Sequence, residues 1–249
     1  MGNIFFRDSV LNDTYGGRDL LKLGKTAQSV AEQVRNNDFS DLYIGDYFAT
    51  NINNRKINWY IADFNYFLKA GDVPFKKPHL VLINGAPIAT QRMNPTNTTE
   101  GGYVNSEMRK TTFNTYLNYL KNTILGDYIL THRELLTSAI LYNSISAGCP
   151  FWYGCASDWE WHDSTIELLT ESQLYGKTTF SSSAYDTGIG HTQFALFRLD
   201  REFINLNGIT FWLRNIASNS LFCTANDSRS SGAHSASLAN GVRIYFCFG

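Results

Sequence analysis

The stretch Phe211 to Phe246 reads FWLRNIASNSLFCTANDSRSSGAHSASLANGVRIYF. Its ends, Phe211-Trp212-Leu213 and Val242-Arg243-Ile244-Tyr245-Phe246, have the aromatic and β-branched character of core strands. Between them, Ala217 to Asn240 holds seven Ser, five Ala, three Asn and one each of Thr, Gly and Asp. Such a composition makes a flexible linker when a second domain follows. Here it is followed by residues that read as another core strand. The tract is therefore expected to fold as tight turns and short strands on the surface of a scaffold clamped at Trp212 and Val242.

Upstream, "DLYIGDYFAT" and "INWYIADFNYFL" are aromatic and β-branched, and the Asn-rich "NINNRK" between them signals a turn. In the second, Trp59 and Ile61 alternate and Phe64 follows after a one-residue slip. "HLVLI", His79 to Ile83, reads as a buried strand. Ala27, Val30, Ala31 and Val34 form one stripe, which predicts a short helix from Thr26 to Val34. Ser106 to Leu125 predicts a second, with Phe113, Tyr116, Leu117, Leu120 and Ile124 on one face and Gly126 ending it. Thr131 to Tyr142 predicts a third, opened by the capping box Thr131-His132-Arg133-Glu134. "STIELLTE", "QFALFRLD", "ITFWLRNI" and "GVRIYFCF" are read as short strands.

The expected fold class is α+β: one domain of irregular, mostly antiparallel β structure with two or three helices and an N-terminal extension. Residues 1–40 would form an arm with a short helix, and residues 41–249 the α+β domain. Ile4, Phe5 and Phe6 make an apolar knot that suits an arm docking on a neighbouring subunit or a first strand of the domain.

Composition narrows the function. Of 249 residues, 43% are hydrophobic, 14% aromatic and 17% charged, with a net charge of −1. The charged share is below the usual quarter, so neutral Asn, Ser and Thr must supply much of the polar surface. No basic stripe of the kind nucleic-acid binders carry is visible, and no polybasic membrane patch. No secretory signal and no membrane-spanning helix are expected. The four cysteines, Cys149, Cys155, Cys223 and Cys247, lack CxxC spacing and read as free buried thiols.

No pattern for catalysis emerges. The five histidines form neither HExxH nor HxH, and neither Gly16-Gly17 nor Gly101-Gly102 belongs to a phosphate loop. The densest group of ligand types is Asp158-Trp159-Glu160-Trp161-His162-Asp163. On a strand Asp158, Glu160 and His162 would share one face, but alternation of polar residues with Trp159 and Trp161 is what a half-buried strand shows anyway. The sequence implies no enzyme, no cofactor and no metal.

A set of motifs occurs in order along the chain: TYGGRDL, DLYIGDYF, INWYIADFNYFLKAGD, MNPTNTTEGGYVNSEMR, LTHRELLTSAI, QLYG, QFALF, FWLRNIAS and GVRIYF. Together they resemble a family of phage and prophage structural proteins from Firmicutes. Members of that family end in a Trp-Leu-Arg motif and, after a variable tract, a Gly-Val-Arg-Pro motif. Ile244 stands where the family has Pro, which leaves the bounds of the last strand open. The paired closing motifs are also similar to the C-terminal signature of C-type-lectin-like domains, the fold that some phage tropism determinants use to display variable residues.

The resemblance implies a virion protein on the particle's exterior, assembled in the host cytoplasm: a capsid decoration or head-fibre protein, or else a tail-borne receptor-binding protein. Its partners would be the major capsid protein or tail components, further copies of itself, and a host-surface glycan or protein gripped through residues 217–240, with neither nucleic acid nor membrane. The candidate contact residues are Ile4, Phe5, Phe6, Ser218, Asn219, Asn226, Asp227, Arg229 and His234. Trp212 would anchor the core, and Arg214 and Arg243 would tie carbonyls or a carboxylate through their multi-donor forks.

Overall fold

The strand that closes the chain lies in the middle of the main sheet. In the computed structural model, β13 (Ile244–Phe248) runs antiparallel between β3 (Leu80–Asn84) and β5 (Ile129–Leu130), and its first residues also pair with β8 (Glu167–Leu168). Outward from β3 come β2 (Arg55–Phe64) and then β1 (Tyr47–Ile52), all antiparallel. Every residue of β3 and β13 is buried, as expected of strands with no polar alternation. The structure describes residues 17–141, 155–181, 192–205 and 207–249.

The Asn-rich turn forms as expected. Asn53 (φ 48) and Asn54 (φ 59) take left-handed conformations, the geometry that matches a two-residue turn to strand twist. The slip after Ile61 is a register shift between Ile61 and Asp63.

A second sheet has the order β11-β10-β9-β12-β4, with β4 at Ala89–Gln91, β9 at Phe211–Ile216, β10 at Leu221–Ala225, β11 at Ser231–Ser235 and β12 at Asn240–Val242. Its pairs are antiparallel except β9 with β12. The bland tract thus supplies two paired strands and their turns. Between β12 and β13 the chain passes from one sheet to the other at Arg243. There the Ile244 N–H donates to Asn84 Oδ1 at 2.6 Å, a bond that a proline could not make.

Helix α1 (Ala27–Arg35) buries Ala27, Val30, Ala31 and Val34 in the same core, and Thr26 caps it. The expected helix over 106–125 is shorter and compound. A π-helical turn, Met108–Thr112, leads into α2 (Phe113–Lys121), which ends at Asn122; Gly126 instead opens a 3-10 turn, Gly126–Tyr128. Ile124 is half exposed rather than on the buried face.

Three segments fold otherwise than expected. The helix expected over Thr131–Tyr142 is replaced among the described residues, which exclude Tyr142, by a strand: His132–Ile140 is β6, paired antiparallel with β7 (Ala156–Ser164). Its alternation was disguised because the inward residues at its start are polar, His132 and Glu134, both buried. "QFALFRLD" is not a strand but helix α4 (Ala195–Leu199), and Asp63 Oδ2 accepts the Ala195 N–H at 2.9 Å. In "STIELLTE", Ser164 ends β7 and Glu167–Leu168 form the short β8, after which Thr170 caps α3 (Glu171–Tyr175) in a capping box with Gln173. On β7, Trp159 and Trp161 are half-buried and do not fill the core.

Gly102 shows how tightly β6 is held. Its φ is +71°, and a Cβ there would lie 2.3 Å from the Thr137 carbonyl oxygen. Gly102→Ala is therefore expected to cost at least about 1–2 kcal/mol from the left-handed strain alone, and more from the displaced backbone. Urea denaturation of the variant measures it; an unchanged midpoint would rule out this packing.

Candidate functional site

The β10–β11 hairpin is the feature that residues 217–240 build. Five uninterrupted pairs run from Leu221↔Ser235 to Ala225↔Ser231. At its tip Asn226 Oδ1 accepts from the Ser228 hydroxyl and the Ser230 N–H, each at 2.9 Å. That side chain closes the turn locally. Arg229 is left-handed there (φ 64), and its guanidinium clasps Glu202 with two parallel contacts, one of them 2.9 Å between Nη1 and Oε1. Both side chains are about 40% exposed, so the pair contributes about 0–1 kcal/mol and chiefly orients the tip. Asp227, Ser228 and Ser230 project into solvent.

The candidate contact residues therefore separate. Asn226, Asp227 and Arg229 share the tip. Ser218 and Asn219 sit in the turn at the other end of β10, roughly 15 Å away by strand rise. Thr99 secures that turn, its hydroxyl donating to the Ser218 carbonyl (2.8 Å) and its N–H to that of Asn219 (2.9 Å). His234 packs edge-on to Trp212, with ring centroids 6.4 Å apart, and its Nδ1 lies 3.1 Å from Asn240 Oδ1. Ile4, Phe5 and Phe6 lie outside the described residues.

Beneath the hairpin sits a buried charge network. Trp212, fully buried, donates from Nε1 to the Gln91 carbonyl at 2.7 Å. Two residues along β9, Arg214 reaches the Glu134 carboxylate through Nη1. Glu134 also accepts from the Tyr245 hydroxyl, at 2.7 and 2.8 Å, and its Oε1 is 2.7 Å from His132 Nε2. Gln173 Nε2 donates to the same hydroxyl at 3.1 Å. Burial alone would raise the Glu134 carboxyl, but Arg214 and His132 overcome it and hold it down to about 2. The group is a carboxylate at neutral pH, flanked by two cationic side chains.

A related cluster lies alongside. Glu167 is held by the Tyr103 hydroxyl (2.7 Å), Arg109 Nε (3.1 Å) and the Ser164 hydroxyl (2.7 Å). An open cleft of about 110 Å³ adjoins it, lined by Arg109, Phe113, Asn114, Leu117, Asp163 and Glu167 among others. Its volume is well below the roughly 300–1,000 Å³ of ligand pockets, and its one cation is already committed to Glu167.

Arg243 is a further buried cation. Nε donates to the Asn84 carbonyl (3.0 Å) and Nη1 to those of Phe203 (3.2 Å) and Ile204 (2.7 Å), while the guanidinium lies 4.8 Å from the centre of the Phe211 ring. Burial lowers its pKa to about 10, opposed by the Tyr60 and Tyr175 hydroxyls. Carbonyl dipoles and a ring face stabilise this charge, and the fork binds together the segment before β9 and the crossing between the sheets.

Cys247, His132 and Glu134 superficially present a thiol, an imidazole and a carboxylate in sequence. Burial disfavours the charged forms of the first two, yet their mutual attraction pushes His132 up to about 10 and the thiol down to about 7. Nucleophilic catalysis also needs access for substrate, and all three side chains are buried to within 3% of full coverage. The set works as core electrostatics. Asp158, Glu160 and His162 lie on β7 with His162 Nε2 3.5 Å from Glu160. Among the described residues no group of three or more His, Cys, Asp and Glu side chains is placed to hold a metal ion. Cys155, Cys223 and Cys247 are buried; Cys149 lies outside the described residues.

Sequence reasoning passed over Glu134, His132 and Tyr245. A signal was present, since His132 and Glu134 are two residues apart and would share a strand face, but the capping-box reading of Thr131–Glu134 masked it. In comparisons with protein-family models, with curated proteins and with solved structures, nothing matches this chain.

Proposed function

We propose that this chain is a bacteriophage structural protein carried on the outside of the particle, as a capsid decoration or head-fibre protein, acting by binding rather than by catalysis. The observation that carries the reading is the division of labour around the hairpin. Trp212, Arg214 and Arg243 lie wholly in the core, and the residues between them turn a tip of small polar side chains, Asp227, Ser228 and Ser230, to solvent. The family resemblance of the ordered motifs supports the same assignment. Surface loops on a rigid scaffold are where binding residues concentrate.

Cryo-EM of the virion, with antibody against this protein as marker, tests the location: density on the head shell is the expected result. Density confined to the tail would replace decoration with receptor binding through the same hairpin, and absence from purified particles would end both. Replacing Asp227, Ser228 and Ser230 together by Ala should leave the unfolding free energy within about 1 kcal/mol of wild type, since exposed sites contribute little. In the tail reading the same triple variant would slow adsorption to host cells several-fold; equal adsorption would remove the tip from the contact.

A further inference from the structure

One side of β11 is an open ladder. The Asn226 N–H donates to the Ser230 carbonyl and the Ala236 N–H to that of Ser220, each at 2.9 Å. These bonds set the phase of the hairpin: the even-numbered residues 232 and 234 bond inward to β10. The N–H and C=O groups of Ser231, Ala233 and Ser235 therefore point away from the sheet. Among the described residues, the Ser235 carbonyl alone of these groups has a backbone partner, the Leu238 N–H at 2.9 Å. β11 stands at the end of its sheet and all five of its residues remain partly exposed.

Free edges are ordinarily guarded. β7 carries Asp158, Glu160 and Asp163 along its length, and β4, the other edge of the second sheet, has only three residues. β11, Ser-Gly-Ala-His-Ser, has no Lys, Arg, Asp, Glu or Pro. We propose that β11 pairs with β11 of a second copy of this chain, antiparallel, about a two-fold axis at Ala233.

The occupant follows from the strand itself. An isologous contact must be complementary to itself, and the outward set Ser231, Ala233, Ser235 is symmetric about its centre. The two-fold places Ala233 opposite Ala233 of the second copy, where they exchange both bonds, and Ser231 opposite Ser235 of that copy. The Ala233 and Ser235 N–H groups find open carbonyls, and the Ser231 N–H shares the Ser235 carbonyl of the second copy with the Leu238 N–H that already donates to it. No like charges meet along the strand, which a charged peptide partner would not exploit, and the small side chains permit close approach. Leu238, 52% exposed in the turn that follows, adds apolar surface at each end. Five residues a side is small against the roughly 800 Å² per partner of a standard interface, so association is expected to depend on concentration.

The test uses the full chain in sedimentation velocity across a series reaching millimolar concentration. Wild type should move from monomer to dimer. Ala233→Pro removes an outward N–H and no bond to β10, so it should stay monomeric with unchanged circular dichroism. Ser235→Lys should do the same by charge, and decides the matter if the proline variant misfolds. Hydrogen exchange should show the amides of residues 231, 233 and 235 slowing as wild-type concentration rises. A wild type that remains monomeric throughout, or variants that dimerise equally, would overturn the pairing. The pairing does not rest on the particle assignment, which is read from virions and not from the purified chain.

Discussion

Glu134→Gln is expected to destabilise the protein by about 3–5 kcal/mol, the usual cost of removing one partner from a buried ion pair. The amide keeps the shape of the carboxylate but leaves Arg214, 3% exposed, without its counter-charge, and puts a donor NH2 in place of one of the two oxygens that accept from Arg214, Tyr245 and His132. Against a typical total of about 5–15 kcal/mol, that is enough to leave a substantial unfolded fraction. The sign of the pH effect follows from the lowered carboxyl. A group whose folded pKa is depressed contributes stability above its unfolded pKa, near 4.3, and loses it as pH falls through the folded value. For Glu134 that window runs from about pH 4.3 down to about 2. Wild type should therefore lose thermal stability in this range, and the Gln variant should lose less over the same range. Melting curves of both proteins at pH 7, 4.5 and 2.5 check it. Parallel pH dependences would mean that Glu134 is not the titrating group.

Trp212→Ala is expected to cost about 3–5 kcal/mol, as large aromatic truncations in cores do. The indole is fully buried, packs edge-on to Phe222 at 6.5 Å, and donates to the Gln91 carbonyl on β4. Its loss opens a void under the hairpin and leaves that carbonyl without its donor. The damage should therefore concentrate in the second sheet. Hydrogen exchange of the Ala variant should show the amides of β4, β10 and β11 losing protection well before those of β3 and β13. Uniform loss across both sheets would mean that the two sheets unfold as one unit and that Trp212 supports them equally. Trp212→Phe, which keeps most of the apolar contact, should recover part of the stability in guanidinium titrations.

Two four-residue stretches show where local reading fails. Thr131-His132-Arg133-Glu134 and Thr170-Glu171-Ser172-Gln173 both match the capping-box pattern of Thr followed three residues later by Glu or Gln. Only the second caps a helix, with the Gln173 N–H donating to Thr170 Oγ1 at 3.0 Å and the Thr170 N–H to Gln173 Oε1 at 2.9 Å. In the first, Glu134 turns inward to Arg214 and Tyr245, 80 and 111 residues further on. A cap contributes about 1 kcal/mol, and breaking a buried ion pair costs several times that. The larger effect wins, and it is invisible in a local window. Helix α4 has the same explanation: "QFALF" is as apolar as a strand, but Asp63 caps it from 132 residues away.

What the sequence determined by itself was set by neighbours along the chain. The stripe of α1, the turn at Asn53-Asn54, the all-apolar β3 and the folding of the small-residue tract rest on periodicity and backbone preference, which act over a few residues. The tertiary structure alone decided the state of His132–Ile140, the helix at Ala195, the joining of two sheets at Arg243, and the free edge of β11. Each of these depends on which buried charge, carbonyl or strand comes to lie beside it. Long-range partners outweigh the fraction of a kcal/mol per residue by which intrinsic propensities differ.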